Sequence, residues 1–167
     1  MADTVRILGI DPGSRYTGYA VIDTVGGNAT VVEHGVVKLP PKQPVFERLK
    51  VLDTALRELV DRHRPDELVV EEVFAAHNVR SALVLGQVRG VVVVAAGSHC
   101  PVFEYSARAV KKAVVGYGQA DKDQVAQMVT ALLRLPEKPQ QDAADALALA
   151  LCHMHSRAFA VRMEQAR

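Results

Sequence analysis

Three adjacent apolar residues, Leu68-Val69-Val70, stand between Glu67 and Glu71 without a polar residue among them. Successive side chains of a strand point to opposite faces, so a strand with no polar alternation has to be covered on both. A sheet with helices packed on each side meets that demand, and 167 residues suffice for one such domain. The earlier sequence supplies the rest of a sheet. Val5 to Ile10, Thr17 to Asp23 and Ala29 to Leu39 are dense in β-formers, and turn chemistry separates them at Asp11-Pro12-Gly13-Ser14 and Val25-Gly26-Gly27-Asn28. They are predicted to form an antiparallel meander. Pro40, Pro41 and Pro44 end it, after which Val45, Leu49, Leu52, Leu56, Leu59 and Val60 recur at helical spacing to about His63.

Beyond the apolar strand, Asn78 to Ser98 mixes strand-forming and helix-forming residues, and its length favours a helix. Gly86 and Gly90, four apart, are expected to let another backbone approach that helix. Pro101 to Tyr105 reads as a further strand. Helices follow from Ser106 to about Val114 and from Asp121 to about Arg134, each capped by its first residue, and from Gln141 to about Ser156. No repeat or linker breaks the pattern, giving one domain over residues 1–156 and a basic tail over 157–167. The longest apolar stretch, Gly90 to Gly97, is far short of a bilayer span, and Asp11-Pro12 interrupts any leader-like run, so a cytoplasmic chain with no membrane partner is expected. Cys100 and Cys152 are read as small buried hydrophobes rather than a bridge.

Four acids occupy costly places. Asp11 and Glu71 end apolar strands, and Asp142 and Asp145 share one face of a helix otherwise made of Ala and Leu. If the first and fourth strands pair in parallel, their carboxyl ends bring Asp11 and Glu71 together at the edge where open α/β sheets bind ligands. Four carboxylates carry a formal charge that two divalent cations balance, and oxygen-only ligation suits Mg²⁺ or Mn²⁺ rather than zinc. In-line displacement at phosphorus is the chemistry that needs two such ions. Read singly, Asp11 is also a turn residue and Asp142 also a first-turn helix acid.

Leu8-Gly9-Ile10-Asp11-Pro12-Gly13-Ser14-Arg15, Thr17-Gly18-Tyr19, Val70-Glu71-Glu72-Val73-Phe74, Leu85-Gly86-Gln87-Val88-Arg89-Gly90, Val102-Phe103-Glu104-Tyr105 and Asp142-Ala143-Ala144-Asp145-Ala146-Leu147-Ala148 resemble, in that order, the RuvC family of bacterial Holliday-junction resolvases. The resemblance covers about residues 6 to 155. It implies an RNase H-like α/β fold, a five-stranded mixed sheet flanked by helices, in a homodimer presenting two active sites. It implies catalysis and metal binding by Asp11, Glu71, Asp142 and Asp145, with Mg²⁺, two ions per site, and Mn²⁺ as a substitute. The implied substrate is four-way junction DNA, nicked symmetrically on two strands of like polarity to leave 5′-phosphate and 3′-hydroxyl ends. DNA contacts carry over to Phe74, which would stack on junction bases, and to Lys111 and Lys122, which would hold phosphates; His77, Arg80 and Arg89 add positive charge after the fourth strand. RuvA and RuvB would be the branch-migration partners, in a cytoplasmic, nucleoid-associated setting.

Three alternatives stay open at this point: an actin-like ATPase, which would need a second such domain; a junction-binding module without catalysis; and a YqgF-type relative, which lacks the Asp142 to Asp145 helix pattern. The charge count bears on them. Twenty bases against 19 acids look neutral, yet setting aside the four proposed ligands leaves 15 acids, and a scaffold of +5 suits a DNA binder.

Overall fold

A computed structural model of the chain describes residues 3–72 and 78–165. Strands β1 (Val5–Asp11), β2 (Tyr16–Val25) and β3 (Asn28–Lys38) form the expected meander, followed by helix α1 (Val45–His63) and strand β4 (Glu67–Glu71). Helix α2 (Val79–Gly97), strand β5 (Val102–Tyr105) and helices α3 (Ala107–Val115), α4 (Lys122–Leu132) and α5 (Gln141–Gln165) complete the order. The sheet runs β3-β2-β1-β4-β5, with β1 parallel to β4, β4 parallel to β5, and the meander antiparallel. This is the five-stranded mixed sheet that the sequence implies.

Both faces of the sheet are covered. Leu8, Ile10, Val21, Leu68 and Val70 pack against Leu52 and Leu56 of α1 and Val88 and Val92 of α2. Ile7, Ala20, Ile22 and Val69 turn the other way, onto α3, α4 and α5, where Leu147 and Leu151 are buried. Alternation therefore decides the site: Asp11 shares its face with Ile7, and Glu71 with Val69, so both acids point toward α5, while Glu72 belongs to the opposite face.

Two glycines let α5 lie directly on the sheet. A Cβ at Gly9 would stand 2.4 Å from the carbonyl oxygen of Ala146, and one at Gly18 would stand 1.9 Å from that of Asp142. No side chain fits there, so the helix backbone rests on the strand backbone.

The helix starts follow their caps. Asn78 Oδ1 accepts from Ser81 N–H at 2.9 Å and Ser106 Oγ from Ala109 N–H at 3.3 Å. Asp121 and Gln124 form a reciprocal capping box that fixes the first turn of α4.

Three expectations need correction, and that for Gly86 and Gly90 is not met within the described residues. The last helix does not stop at Ser156 but runs to Gln165, because the residues after it are helix-compatible and Arg157 is anchored by Glu67 Oε1 at 2.9 Å. Helix α4 ends at Leu132, and Arg134 turns into left-handed backbone at φ 51°. A methyl group placed on Gly86 or Gly90 would meet nothing within 4 Å among the described residues, so no backbone of those residues approaches them. Apolar residues on both sides of Gly90 extend the stretch counted from Gly90 to Gly97: α2 as a whole is long and apolar enough to cross a membrane by length and composition, although Val88, Val92, Ala95 and Ala96 are committed to the core. Both cysteines are free, with Cys152 buried and Cys100 half-buried.

Candidate active site

The parallel pairing of β1 with β4 matches Ile10 to Val70, which sets Asp11 beside Glu71 at the carboxyl edge of the sheet. Helix α5 crosses above them, and its Asp145 joins Asp11, Glu71, Lys111 and Lys122 around a cavity of about 250 Å³. Val110 of α3, Val125 of α4 and Ala148 and Leu149 of α5 form its apolar wall. Asp142 lies one helical turn before Asp145, its carbonyl seated against Gly18. The loop after Asp11 is drawn tight by Thr17, whose Oγ1 accepts from Gly13 N–H at 3.3 Å and donates to Gly13 O at 3.2 Å.

The electrostatics are those of an anion cluster short of cations. Burial pushes the Asp11 carboxyl up to about 8, and the neighbouring charges of Glu71, Asp145 and Asp142 add to the effect against Lys122. Glu71 is raised by burial and by Asp145, with Lys122 and Lys111 working the other way. Asp145 is raised chiefly by burial, although Lys122 Nζ bonds its Oδ2 at 3.2 Å. Burial opposes the charge on Lys122, yet Asp145, Asp11 and Asp142 outweigh it and hold the ammonium above the ordinary lysine range. The donor set is carboxylate oxygen throughout, which fits a hard divalent cation. Among the described residues, no group of three or more His, Cys, Asp and Glu side chains is already arranged to hold a metal ion. Lys122, beside Asp145, offsets part of the charge that the acids bring together.

Of the positions carried over to DNA contact, Lys111 and Lys122 line the cavity. Arg80 is exposed in the first turn of α2, whose N-terminus follows β4. Arg89 is tied to Glu104 of β5 instead of joining the cavity. Phe74 and His77 lie outside the described residues. Outside the cavity, His153 bonds Glu67 Oε2 at 2.7 Å through Nε2 and the Tyr105 hydroxyl at 2.9 Å through Nδ1.

The apolar wall was not singled out from sequence. Its signal is the helical spacing of Val110 with Val114 and of Val125 with Val129, which marks a buried face but says nothing about which acids it meets.

Comparison with known proteins places these features in context. Residues 7–153 match the family described as crossover junction endodeoxyribonuclease RuvC. The RuvC crossover junction endodeoxyribonuclease of Magnetococcus marinus is 50% identical over 157 residues, 93% of this chain and 87% of that protein. That of Marinobacter nauticus is 52% identical over 158 residues, covering 94% and 90%. The structure of Thermus thermophilus RuvC in complex with a Holliday-junction substrate superposes with a TM-score of 0.87 at 35% identity, over 93% of this chain and 96% of that one. The RNase H-like fold implied by the sequence is therefore the observed one.

Proposed function

Because the chain belongs to the RuvC family of crossover junction endodeoxyribonucleases, we propose that it resolves four-way DNA junctions, hydrolysing two strands of like polarity symmetrically to leave 5′-phosphate and 3′-hydroxyl ends. The observation that carries this reading is the register of Asp11 beside Glu71 beneath Asp145, in a cavity that Lys111 and Lys122 also line. Asp11, Glu71, Asp142 and Asp145 would hold divalent cations, Mg²⁺ with Mn²⁺ as a substitute. When bound, such ions supply activation of a water and stabilisation of the leaving oxygen.

The chain's own contribution is positioning and charge. The wall of Val110, Val125 and Leu149 lowers the local dielectric, which strengthens each interaction between acids, lysines and phosphate. Lys122, released from Asp145, would reach a phosphate oxygen, and Lys111 would approach from α3. Charge segregation supports DNA as the ligand, since Asp11, Glu71 and Asp145 line one cavity and Lys111 and Lys122 flank it.

A homodimer is part of the proposal. Val79, Leu83, Gly86, Gly90 and Val94 recur at intervals of three and four along α2; Val79 is 77% and Leu83 64% exposed, and both glycines are open. Such a stripe of apolar and small residues suits close packing against a second copy. RuvA and RuvB are the partners the family resemblance implies.

A synthetic mobile four-way junction incubated with the protein and Mg²⁺ tests the reading. Paired, symmetric nicks are expected from the unmodified protein and none from Asp145→Asn. Cleavage by Asp145→Asn would remove Asp145 from the ligand set. Tight junction binding without cleavage by the unmodified protein would leave only a binding module.

A further inference from the structure

Resting on the junction-nuclease reading, we infer that Arg15, Lys38 and Lys42 form a second phosphate-binding site, which grips the DNA backbone a few nucleotides from the scissile phosphate on the β2–β3 side of the acids. The sheet register places Lys38, and Arg15 and Lys42 adjoin it in the flanking turns. Asp11 pairs with Gly18, and Gly18 with Val36, so these three residues make one row across β1, β2 and β3. Tyr16 pairs with Lys38 in the next row of the same face, two residues nearer the loop edge. Lys38 therefore stands on the face that carries α5 and the acids.

The distance suits a nucleic-acid strand. Two strands across at about 4.8 Å each and two residues along at about 3.4 Å each separate the backbones of Asp11 and Lys38 by about 12 Å. One strand of a duplex advances about 3.4 Å of helix axis per phosphate, so Lys38 falls roughly three or four nucleotides from a phosphate at the acids.

The surrounding backbone is fixed. Leu39 N–H donates to Arg15 O at 2.8 Å, which holds the two bases of neighbouring strands together. Arg48 Nη1 donates to Ser14 O at 2.7 Å from α1. A turn closed by Gln43 N–H to Pro40 O at 3.2 Å presents Lys42 near its tip. Tyr16, 47% exposed, adds an aromatic face beside Lys38.

The bases of this edge are open to solvent. Arg15, Lys38 and Lys42 are exposed and enter no ion pair among the described residues. At the far edge, Arg6 is paired with Asp23, Arg62 with Glu33 and Arg157 with Glu67. The acid nearest in sequence to Lys42, Glu47, is taken by Lys50. A polyanionic backbone that entered the acid cavity and continued over this side of the sheet would engage these unneutralised bases.

The test measures binding of a fluorescent, immobile four-way junction, without divalent ions, between about 50 and 200 mM salt. The triple variant Arg15→Ala, Lys38→Ala, Lys42→Ala should bind less tightly, with the slope of log affinity against log salt shallower by about 2 to 3 for each protomer that engages the junction, and so by about 5 for a dimer, since each phosphate contact contributes about 0.9. Arg57→Ala, Arg62→Ala, Arg64→Asn removes the same charge from elsewhere in the chain and should leave the slope near that of the unmodified protein. The charge-keeping triple Arg15→Lys, Lys38→Arg, Lys42→Arg should restore it. Equal slopes for the two charge-removing triples would overturn the inference while leaving the nuclease reading intact; failure of the unmodified protein to bind the junction would overturn both.

Discussion

Asp11→Asn should make the metal-free protein more stable at alkaline pH and leave it nearly unchanged in acid. An ordinary aspartate ionises near pH 4, whereas burial beside Glu71 and Asp145 holds Asp11 at about 8. The folded chain therefore keeps a proton that the unfolded chain has lost, and between these values its stability falls as pH rises. Four decades of proton affinity at about 1.4 kcal/mol each set a ceiling of about 6 kcal/mol, and relaxation of the neighbouring acids brings the expected loss to about 3–6 kcal/mol. Asparagine has the shape of the protonated acid and no charge to bury. In EDTA, denaturant midpoints measured from about pH 5 to about pH 9 should show the variant gaining on the unmodified protein steadily as pH increases. Subtracting one curve from the other cancels the groups the two proteins share. A divalent ion at about 100 times its dissociation constant should narrow the gap by about 2.7 kcal/mol, since it stabilises the unmodified protein alone. A stability difference that stays constant across pH, or a variant less stable at about pH 8 without metal, would refute the buried-charge account.

Gly18→Ala should abolish cleavage and lower stability, because the added methyl would meet the Asp142 carbonyl; thermal melts and junction cleavage measured together check both effects. Glu67→Gln should destabilise by about 1–3 kcal/mol through the bonds to His153 and Arg157. Burial raises the Glu67 carboxyl, but Arg157 and His153 outweigh it and hold the group below its ordinary range, so its contribution is present above about pH 4.5 and is lost as pH falls through the lowered value. Denaturation curves of both proteins between about pH 3 and about pH 7 should therefore converge toward acid. Asp121→Ala should cost about 0.5–2 kcal/mol by removing the capping box, and should slow cleavage further because Lys122 is the first residue of α4.

Turn chemistry, proline placement and capping residues carried most of the fold, because each acts within a few residues of itself. The meander, α1 from Val45 to His63 and β4 from Glu67 to Glu71 lie where those local signals put them. The acids were legible for a different reason: a carboxylate at the end of an apolar strand, or between Ala144 and Ala146, is expensive unless something compensates it. What stayed hidden depends on partners distant in sequence. Nothing near Lys122 announces Asp145, 23 residues on, and nothing near Arg157 announces Glu67, 90 residues back. Arg157 therefore read as the start of a basic tail when it is the anchor of a helix. Gly86 and Gly90 were legible only in part, because small residues report that an approach is permitted and not which chain makes it.

The seats of Gly9 and Gly18 under α5 have a consequence for how activity responds to damage. Contacts between two backbones have no rotamers to exchange and no side-chain volume to lose, so the spacing between the strand-borne and helix-borne acids is set by atomic radii. Substitutions that loosen the core elsewhere, at Leu52 or Leu56 on the other face of the sheet, should deplete the population of working molecules and leave the turnover of each survivor unchanged.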